Sequence, residues 1–288
     1  MVVRRLQFDR SQEMLENLFS LEDKVVVVTG AAGLLGRYHA EAIAAYGGIP
    51  ILLDLSLSKV TSLASKINKK FNSSAFGYAV DITDEEQVRK NSEHIVKKFN
   101  KIDGLINNAA NNPKVGEDED INFSRLENFP IENWAKDLAV GLTGSFICAK
   151  YYGTQISKNL NGGSIVNISS DLALIGPDQR LYLDASKTPS NQPVKPVSYS
   201  VVKAGILGLT RYLATYWPEK KVRCNAICPA GVENQQDTSF IKNLSSRIPL
   251  NRMAQPNEYQ GTVVWMLSDA SSYLNGAIIP VDGGRTTW

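Results

Sequence analysis

The sequence predicts a single α/β domain: a doubly wound, mostly parallel seven-stranded sheet with helices on both faces. Three observations predict it. Short apolar runs alternate with stretches of helical period along the chain, without an internal repeat. The first run, Val25-Val26-Val27-Val28, has no polar alternation, as expected of a strand buried on both faces. It ends in Thr29-Gly30-Ala31-Ala32-Gly33-Leu34-Leu35-Gly36, a glycine turn that opens a helix.

With 288 residues, 43% hydrophobic and 21% charged, the chain can bury the core of one such domain. Residues 1–20 are expected to form an N-terminal arm, with Met14 a candidate natural start, and residues 21–288 the domain itself. A formal net charge of +2 with scattered lysines gives no basic stripe, which argues against a nucleic-acid partner. There is no apolar run of membrane-spanning length and no signal-peptide core, so a soluble cytoplasmic protein with no membrane partner is expected. The odd set Cys148, Cys224 and Cys228 lies inside apolar elements and fits a reduced protein, not a disulfide framework. His39 and His94 are the only histidines, which excludes a His-rich metal site, and no metal is expected.

In chain order, the helix after the glycine turn runs from Leu34 to Tyr46 and stops at Gly47-Gly48. A helix starting on such a turn presents free N–H groups to a pyrophosphate; a tight turn with no ligand is the alternative. The second strand, Ile49 to Asp54, ends in an acid about twenty residues beyond the glycines, where a carboxylate accepts from a ribose diol and repels a 2′-phosphate. That favours NAD over NADP, the alternative for Asp54 being a helix N-cap. Helix 57–70, a strand from Phe76 to Val80 closed by Asp81, and a helix opening at Thr83-Asp84-Glu85-Glu86 follow.

The fourth strand, Gly104 to Asn107, ends in Asn107-Asn108-Ala109-Ala110, so four strand ends point to one crevice. Residues 111–130 are expected to form a polar loop that could overhang it. A long helix from Ile131 to Ser157 leads to the fifth strand, Ser164 to Ile168, and to Ser169-Ser170. Residues 171–196 have no sustained period, and a helix restarts at Val197 and runs to Trp217. The sixth strand, Val222 to Cys228, opens at Pro229-Ala230-Gly231. Residues 232–253, with one short helix, are a lid candidate. Helix 256–268 and a last strand, Ala277 to Val281, finish the chain.

Tyr199 and Lys203 are one helical turn apart and share a face. An ammonium about 4 Å from the phenol, at an effective dielectric near 20, supplies about 4 kcal/mol and would bring a tyrosine from its usual pKa of about 10 toward neutrality. The phenol then becomes a usable general acid and base. Ser170, at a strand end, can hydrogen-bond the same substrate oxygen.

Taken together, TGAAGLLG, Asp54, Asp81, NNAA, GSIVNISS, YSVVK, NAICPAG and VDGG resemble the short-chain dehydrogenase/reductase family over nearly the whole chain from about Met14. The resemblance implies a Rossmann sheet ordered 3-2-1-4-5-6-7 and hydride transfer between a nicotinamide and a carbonyl or carbinol carbon of a small-molecule substrate. It makes Tyr199 the general acid/base, Lys203 the residue that lowers its pKa and binds the nicotinamide ribose, and Ser170 the holder of the reacting oxygen. Gly30, Gly33, Leu35, Gly36, Asp54, Asp81, Ile82, Asn108, Ala109, Tyr199, Lys203, Pro229 and Val232 become the cofactor-binding positions. Asp81 is expected to meet the adenine through its side chain. A homodimer or homotetramer through the helix carrying Ala204, Gly205 and Gly208 follows by the same resemblance, tight packing within one subunit being the alternative.

Three features depart from the family pattern. The glycine turn carries Gly33 where the short subgroup has its glycine one place later, a spacing more like the extended subgroup that works on nucleotide sugars. The helix position of the usual fourth catalytic residue, an asparagine, is Gly141, which implies slower proton exchange with Lys203 or a different relay, and restoring asparagine there is the test. The gap from Ser170 to Tyr199 is long, implying an inserted loop around residues 182–196 over the substrate. That loop, GVENQQDTSFIKN and VDGGRTTW resemble a branch of flagellin and surface-glycan modification oxidoreductases, implying a sugar or sugar-derived substrate. Two other functions stay open: a nucleotide-sugar dehydratase or epimerase that recycles NAD, and a non-catalytic dinucleotide-binding module.

Overall fold

Seven strands form one sheet in a computed structural model that describes residues 15, 17–111 and 124–288. They are β1 (Val25–Thr29), β2 (Ile49–Asp54), β3 (Phe76–Ala79), β4 (Gly104–Asn107), β5 (Gly163–Ile168), β6 (Val222–Pro229) and β7 (Ile278–Val281). Their order is β3-β2-β1-β4-β5-β6-β7, and every pairing is parallel, so the expected order holds and no antiparallel strand is added.

The valine run explains the two-sided core. Val26 and Val28 pack into an apolar layer with helices α1 (Gly36–Ala45), α2 (Leu57–Phe71) and α7 (Gln260–Leu267). Val25 and Val27 face the opposite layer, filled by α3 (Glu85–Phe99), by a long helical run α4 over residues 131–156, and by α5 (Val197–Tyr216). Successive side chains of a strand point to opposite faces, so a strand covered on both needs an apolar residue at each position. The short helix α6 (Thr238–Ser245) stands in the segment expected to form a lid.

Caps set the helix boundaries. Ser56, not Asp54, caps α2 by accepting from Lys59 N, and Asp84 accepts from Glu86 N and Gln87 N at the start of α3. The α4 run widens into π turns at Ala139–Thr143 and Ala149–Gly153. Such turns are uncommon and gather near functional positions, and the first contains Gly141.

The chain reverses its direction of travel across the sheet between β1 and β4, where the crevice beyond the strand ends opens. Of the predicted N-terminal arm, residues 1–14 and 16 lie outside the described residues, as do residues 112–123 of the predicted polar loop. The described end of the arm is hydrogen-bonded to the C-terminal part of the chain: Ala270 N donates to Leu18 O at 3.0 Å. Leu21 is fully buried.

Candidate active site

A cavity of about 900 Å³ runs along the C-terminal ends of the strands. At one end its wall is built from Gly30, Gly33, Leu35, Asp54, Asp81 and Ile82, and Asn108 and Ala109 continue it. Ser170, Tyr199 and Lys203 line the other end, with Pro229 and Val232 beside them. Of the cofactor-binding positions read from the sequence, all but Gly36 lie on this wall.

Gly36 stands behind it. A Cβ there would overlap Gly30 O and Ala31 Cα, so glycine is needed to seat α1 against the turn rather than to touch a ligand. Gly30 has φ +60° and a Cβ there would come within 2.9 Å of Ala109 Cα, so the turn can press onto the end of β4 only without a side chain. Asn108 secures that contact: Nδ2 donates to Thr29 O at 2.9 Å and to Gly30 O at 3.1 Å. Its amide braces the turn, while its backbone and that of Ala109 donate to Thr29 Oγ1.

Asp54 spans the mouth of the turn, accepting from Ala32 N at 3.1 Å and Leu55 N at 2.9 Å. One oxygen of Asp81 accepts from Thr83 N and Thr83 Oγ1, so its carboxylate is shared between the wall and the entry to α3. The bare turn and the carboxylate beside it fit a dinucleotide: the glycines at 30 and 33 let a ligand approach the backbone on the cavity wall, and Asp54 stands beside the turn as a charged acceptor. The cavity is at the upper end of the range for small-molecule sites.

At the reacting end, a polar ladder positions α5 against the sheet. Asn107 Nδ2 donates to Asn167 Oδ1 at 2.8 Å, and Asn167 Nδ2 donates to Thr210 Oγ1 at 2.8 Å. Ser169 Oγ then donates to Lys203 O at 2.7 Å, and Lys203 Nζ donates to Ile168 O at 2.8 Å. Ser170 Oγ accepts from Leu172 N and donates to Asp171 Oδ1.

The tether to Ile168 holds Lys203 on the Tyr199 side of the cavity. Lys203 Nζ lies 5.8 Å from the Tyr199 ring centroid. In this arrangement burial pushes the Tyr199 phenol above its ordinary value, a hydrogen bond with Ser170 opposes the rise, and the Asp171 charge adds to it. Burial lowers Lys203 to about 8, with a smaller contribution from the Lys195 charge. A lysine poised there can gain and lose a proton near neutral pH.

Gly141, where the family pattern has an asparagine, packs against α5. A Cβ at 141 would overlap Val202 Cγ1, so the space is already filled from α5, and an asparagine there has to push Val202 aside. Gly205 meets Leu142 of the same subunit, whereas Ala204 and Gly208 are exposed.

The segment between Ser170 and Tyr199 lines the substrate end through Pro177, Asp178 and Leu181, and the loop expected at residues 182–196 adds Tyr182 and Lys195. The lid segment meets it: the Tyr182 and Phe240 rings lie 5.7 Å apart, and Arg247 Nε donates to Asp178 Oδ2 at 2.6 Å. Lys195 Nζ sits 3.9 Å from the Tyr199 ring centroid. Sequence reasoning missed Lys195, Asp171, Tyr182 and Arg285 as wall residues. Asp171 alone left a signal, a charge directly after the strand-end serine. Among the described residues no group of His, Cys, Asp or Glu could hold a metal ion, and the three cysteines are buried and free.

A dinucleotide-sized cavity that brings a serine hydroxyl, a phenol and a lysine to one end defines an oxidoreductase of alcohols and carbonyls. The comparisons agree. Residues 30–286 match the family model described as enoyl-(acyl carrier protein) reductase. A trans-4-hydroxycyclohexanecarboxylate dehydrogenase of Sinomonas cyclohexanicum is 30% identical, over 92% of this chain and 93% of its own. An NAD-dependent glycerol dehydrogenase of Listeria innocua is 30% identical, over 93% of this chain and 96% of its own. The crystal structure of an NAD+-bound xylitol dehydrogenase superposes with a TM-score of 0.79 at 26% identity, over 92% of this chain and 99% of that one. The chain belongs to the short-chain dehydrogenase/reductase family, whose members bind NAD or NADP, and it is an oxidoreductase acting on CH–OH groups. The non-catalytic alternative is thereby set aside.

Proposed function

We propose that this protein uses NAD to interconvert a secondary alcohol and a ketone on a small polyhydroxylated compound, with Ser170, Tyr199 and Lys203 as its catalytic groups. The observation that carries the reading is the shared cavity: the glycine turn and Asp54 stand at one end of it, and those three side chains at the other.

A bound nicotinamide would supply the hydride acceptor or donor. In oxidation, Tyr199 takes the proton of the substrate hydroxyl at its phenol oxygen, and in reduction it returns one to the carbonyl oxygen. Ser170 turns its hydroxyl from Asp171 Oδ1 to the same oxygen and fixes its distance from Tyr199. Burial opposes the phenolate, so it needs positive charge nearby, and Lys203 and Lys195 are the chain's own contributions.

Asp54 supports NAD: a carboxylate at the ribose position accepts from a diol and repels a 2′-phosphate. The relatives that act on glycerol and xylitol support a substrate with several hydroxyls. None of the relatives named above acts on a surface glycan, and the reading stops at polyhydroxylated compounds. Exposed Phe146 on α4 and exposed Tyr212 and Tyr216 on α5 support a homodimer or homotetramer across these helices. Among the described residues no helix is long and apolar enough to cross a membrane, and the free cysteines suit the cytoplasm.

The experiment follows the near-ultraviolet absorbance of reduced nicotinamide with NAD and with NADP across polyols, sugars, sugar acids and simple alcohols. We expect turnover with NAD that Tyr199→Phe lowers by about 100-fold or more while dinucleotide binding persists. Undiminished turnover in that variant, or a preference for NADP, overturns the reading. Substrate conversion with no net change in nicotinamide would instead identify a recycled cofactor, as in an epimerase or dehydratase.

A further inference from the structure

The segment between β5 and α5 is braced by its own side chains and brings one phenol, that of Tyr182, to the cavity wall. Lys195 N donates to Gln179 Oε1 at 2.8 Å, which ties the end of the segment to the helical turn Gln179–Tyr182. Between them, Gln192 accepts from Asp184 N at 2.8 Å and donates to Asp184 O and Lys187 O. Asp178 caps the turn by accepting from Arg180 N, and Arg247 of the lid segment holds the same carboxylate. The Tyr182 ring rests against Phe240 of α6, with the ring centroids 5.7 Å apart.

Its ring is thus fixed from two sides, yet no group among the described residues hydrogen-bonds the Tyr182 hydroxyl. The hydroxyls of Tyr78 and Tyr259 also lack a partner there but are enclosed by protein, whereas Tyr182 is half-buried on the cavity wall. A tyrosine hydroxyl in so dry a place ordinarily finds a partner. Burial is the main influence on this phenol and pushes it up to about 12, with the charges of Arg285, Tyr199 and Asp171 acting on it as well. It therefore keeps its proton and remains a donor, on the side of the wall that faces the reacting groups.

A carbonyl oxygen has two lone pairs, and at the reacting carbon the hydroxyls of Ser170 and Tyr199 take both. A third hydroxyl at the same end of the cavity serves a different atom. Resting on the alcohol/ketone reading above, we infer that Tyr182 is a further specificity-determining residue, whose hydroxyl donates to a substrate oxygen that does not react. That oxygen gains no charge as the hydride moves, so the bond is made equally in the ground state and in the transition state. It strengthens substrate binding and leaves the chemical step as it was.

The test compares Tyr182→Phe with the wild type, using NAD with xylitol, glucose and gluconate as the compounds. This substitution keeps the ring and its contact with Phe240 and removes only the donor, so melting temperature and NADH affinity should not move. We expect KM for the compounds that are converted to rise by about 3- to 10-fold, the value of a neutral hydrogen bond. At the same time kcat should stay within about twofold of the wild type, the signature of lost uniform binding. Tyr199→Phe, measured alongside, should instead lower kcat.

An unchanged KM, or a loss confined to kcat, overturns the inference while leaving the oxidoreductase reading intact. A rise in KM that comes with a lower melting temperature or weaker NADH binding also overturns it, because the hydroxyl would then serve the fold. Thermal shifts of the NADH-loaded proteins with the same compounds separate the two ideas. Stabilisation of the wild type that Tyr182→Phe loses, without turnover of any compound, would sustain the site and overturn the catalytic reading. Neither turnover nor stabilisation overturns the site.

Discussion

Gly141 and Val202 are matched in size across the contact between α4 and α5: a methyl of Val202 occupies the volume that any Cβ at position 141 would need. Val202 directly precedes Lys203 in sequence, and Gly141 lies in the widened turn of α4. Gly141→Asn alone should therefore force a buried side chain aside and cost about 1–3 kcal/mol of stability. Adding Val202→Ala should recover part of that loss, as a favourable coupling of about 0.5–3 kcal/mol in a double-mutant cycle. Denaturant unfolding of the four proteins checks this, and simple additivity would show that the two positions do not compete for space.

On the NAD reading, Asp54 is expected to set the cofactor preference through one negative charge. Asp54→Ser should raise the relative efficiency with NADP, lowering the NAD/NADP ratio of kcat/KM by about 10-fold or more, as expected for removing a repulsion of about 1–3 kcal/mol. Parallel initial rates with the two dinucleotides measure the ratio. A ratio that does not move would assign the preference elsewhere on the wall.

His39 is wholly buried in α1, neither ring nitrogen has a hydrogen-bond partner among the described residues, and burial lowers its pKa to about 4. The unfolded chain takes up a proton below about 6.5 that the folded chain refuses until about 4, so stability falls as pH drops through that window. The full loss from this one group is about 3 kcal/mol. His39→Leu removes no hydrogen bond seen here and should flatten the stability profile between those pH values while leaving stability near neutrality little changed. Thermal unfolding across that range is the measurement, and a variant profile as steep as that of the wild type would place the acid sensitivity in other groups.

Much of this was legible because it is local. Four valines in a row require a strand covered on both faces, a glycine turn after them requires a close backbone approach, and the strand ends bring Asp54, Asn108, Ser170 and Pro229 to one edge. Tyr199 and Lys203 share a face by helical period alone. These statements depend on spacing within one element or on the common direction of parallel strands, and the sheet bears them out.

What only the tertiary structure decided are meetings between residues far apart in the chain. Gly36 has the same residue type and spacing as Gly33, yet it packs behind the turn, because the direction of α1 and not the motif determines which glycine faces the cavity. The side chain of Asn108 turns back to Thr29 and Gly30 because their carbonyls need donors. Val202 fills the space beside Gly141, Lys203 is held by the carbonyl of Ile168, and Arg285 reaches Asp171 across more than a hundred residues. Sequence period specifies which face of an element is buried. Which atoms occupy the space beyond that face depends on how the elements pack, and it is packing that put a charged pair beside the reacting groups.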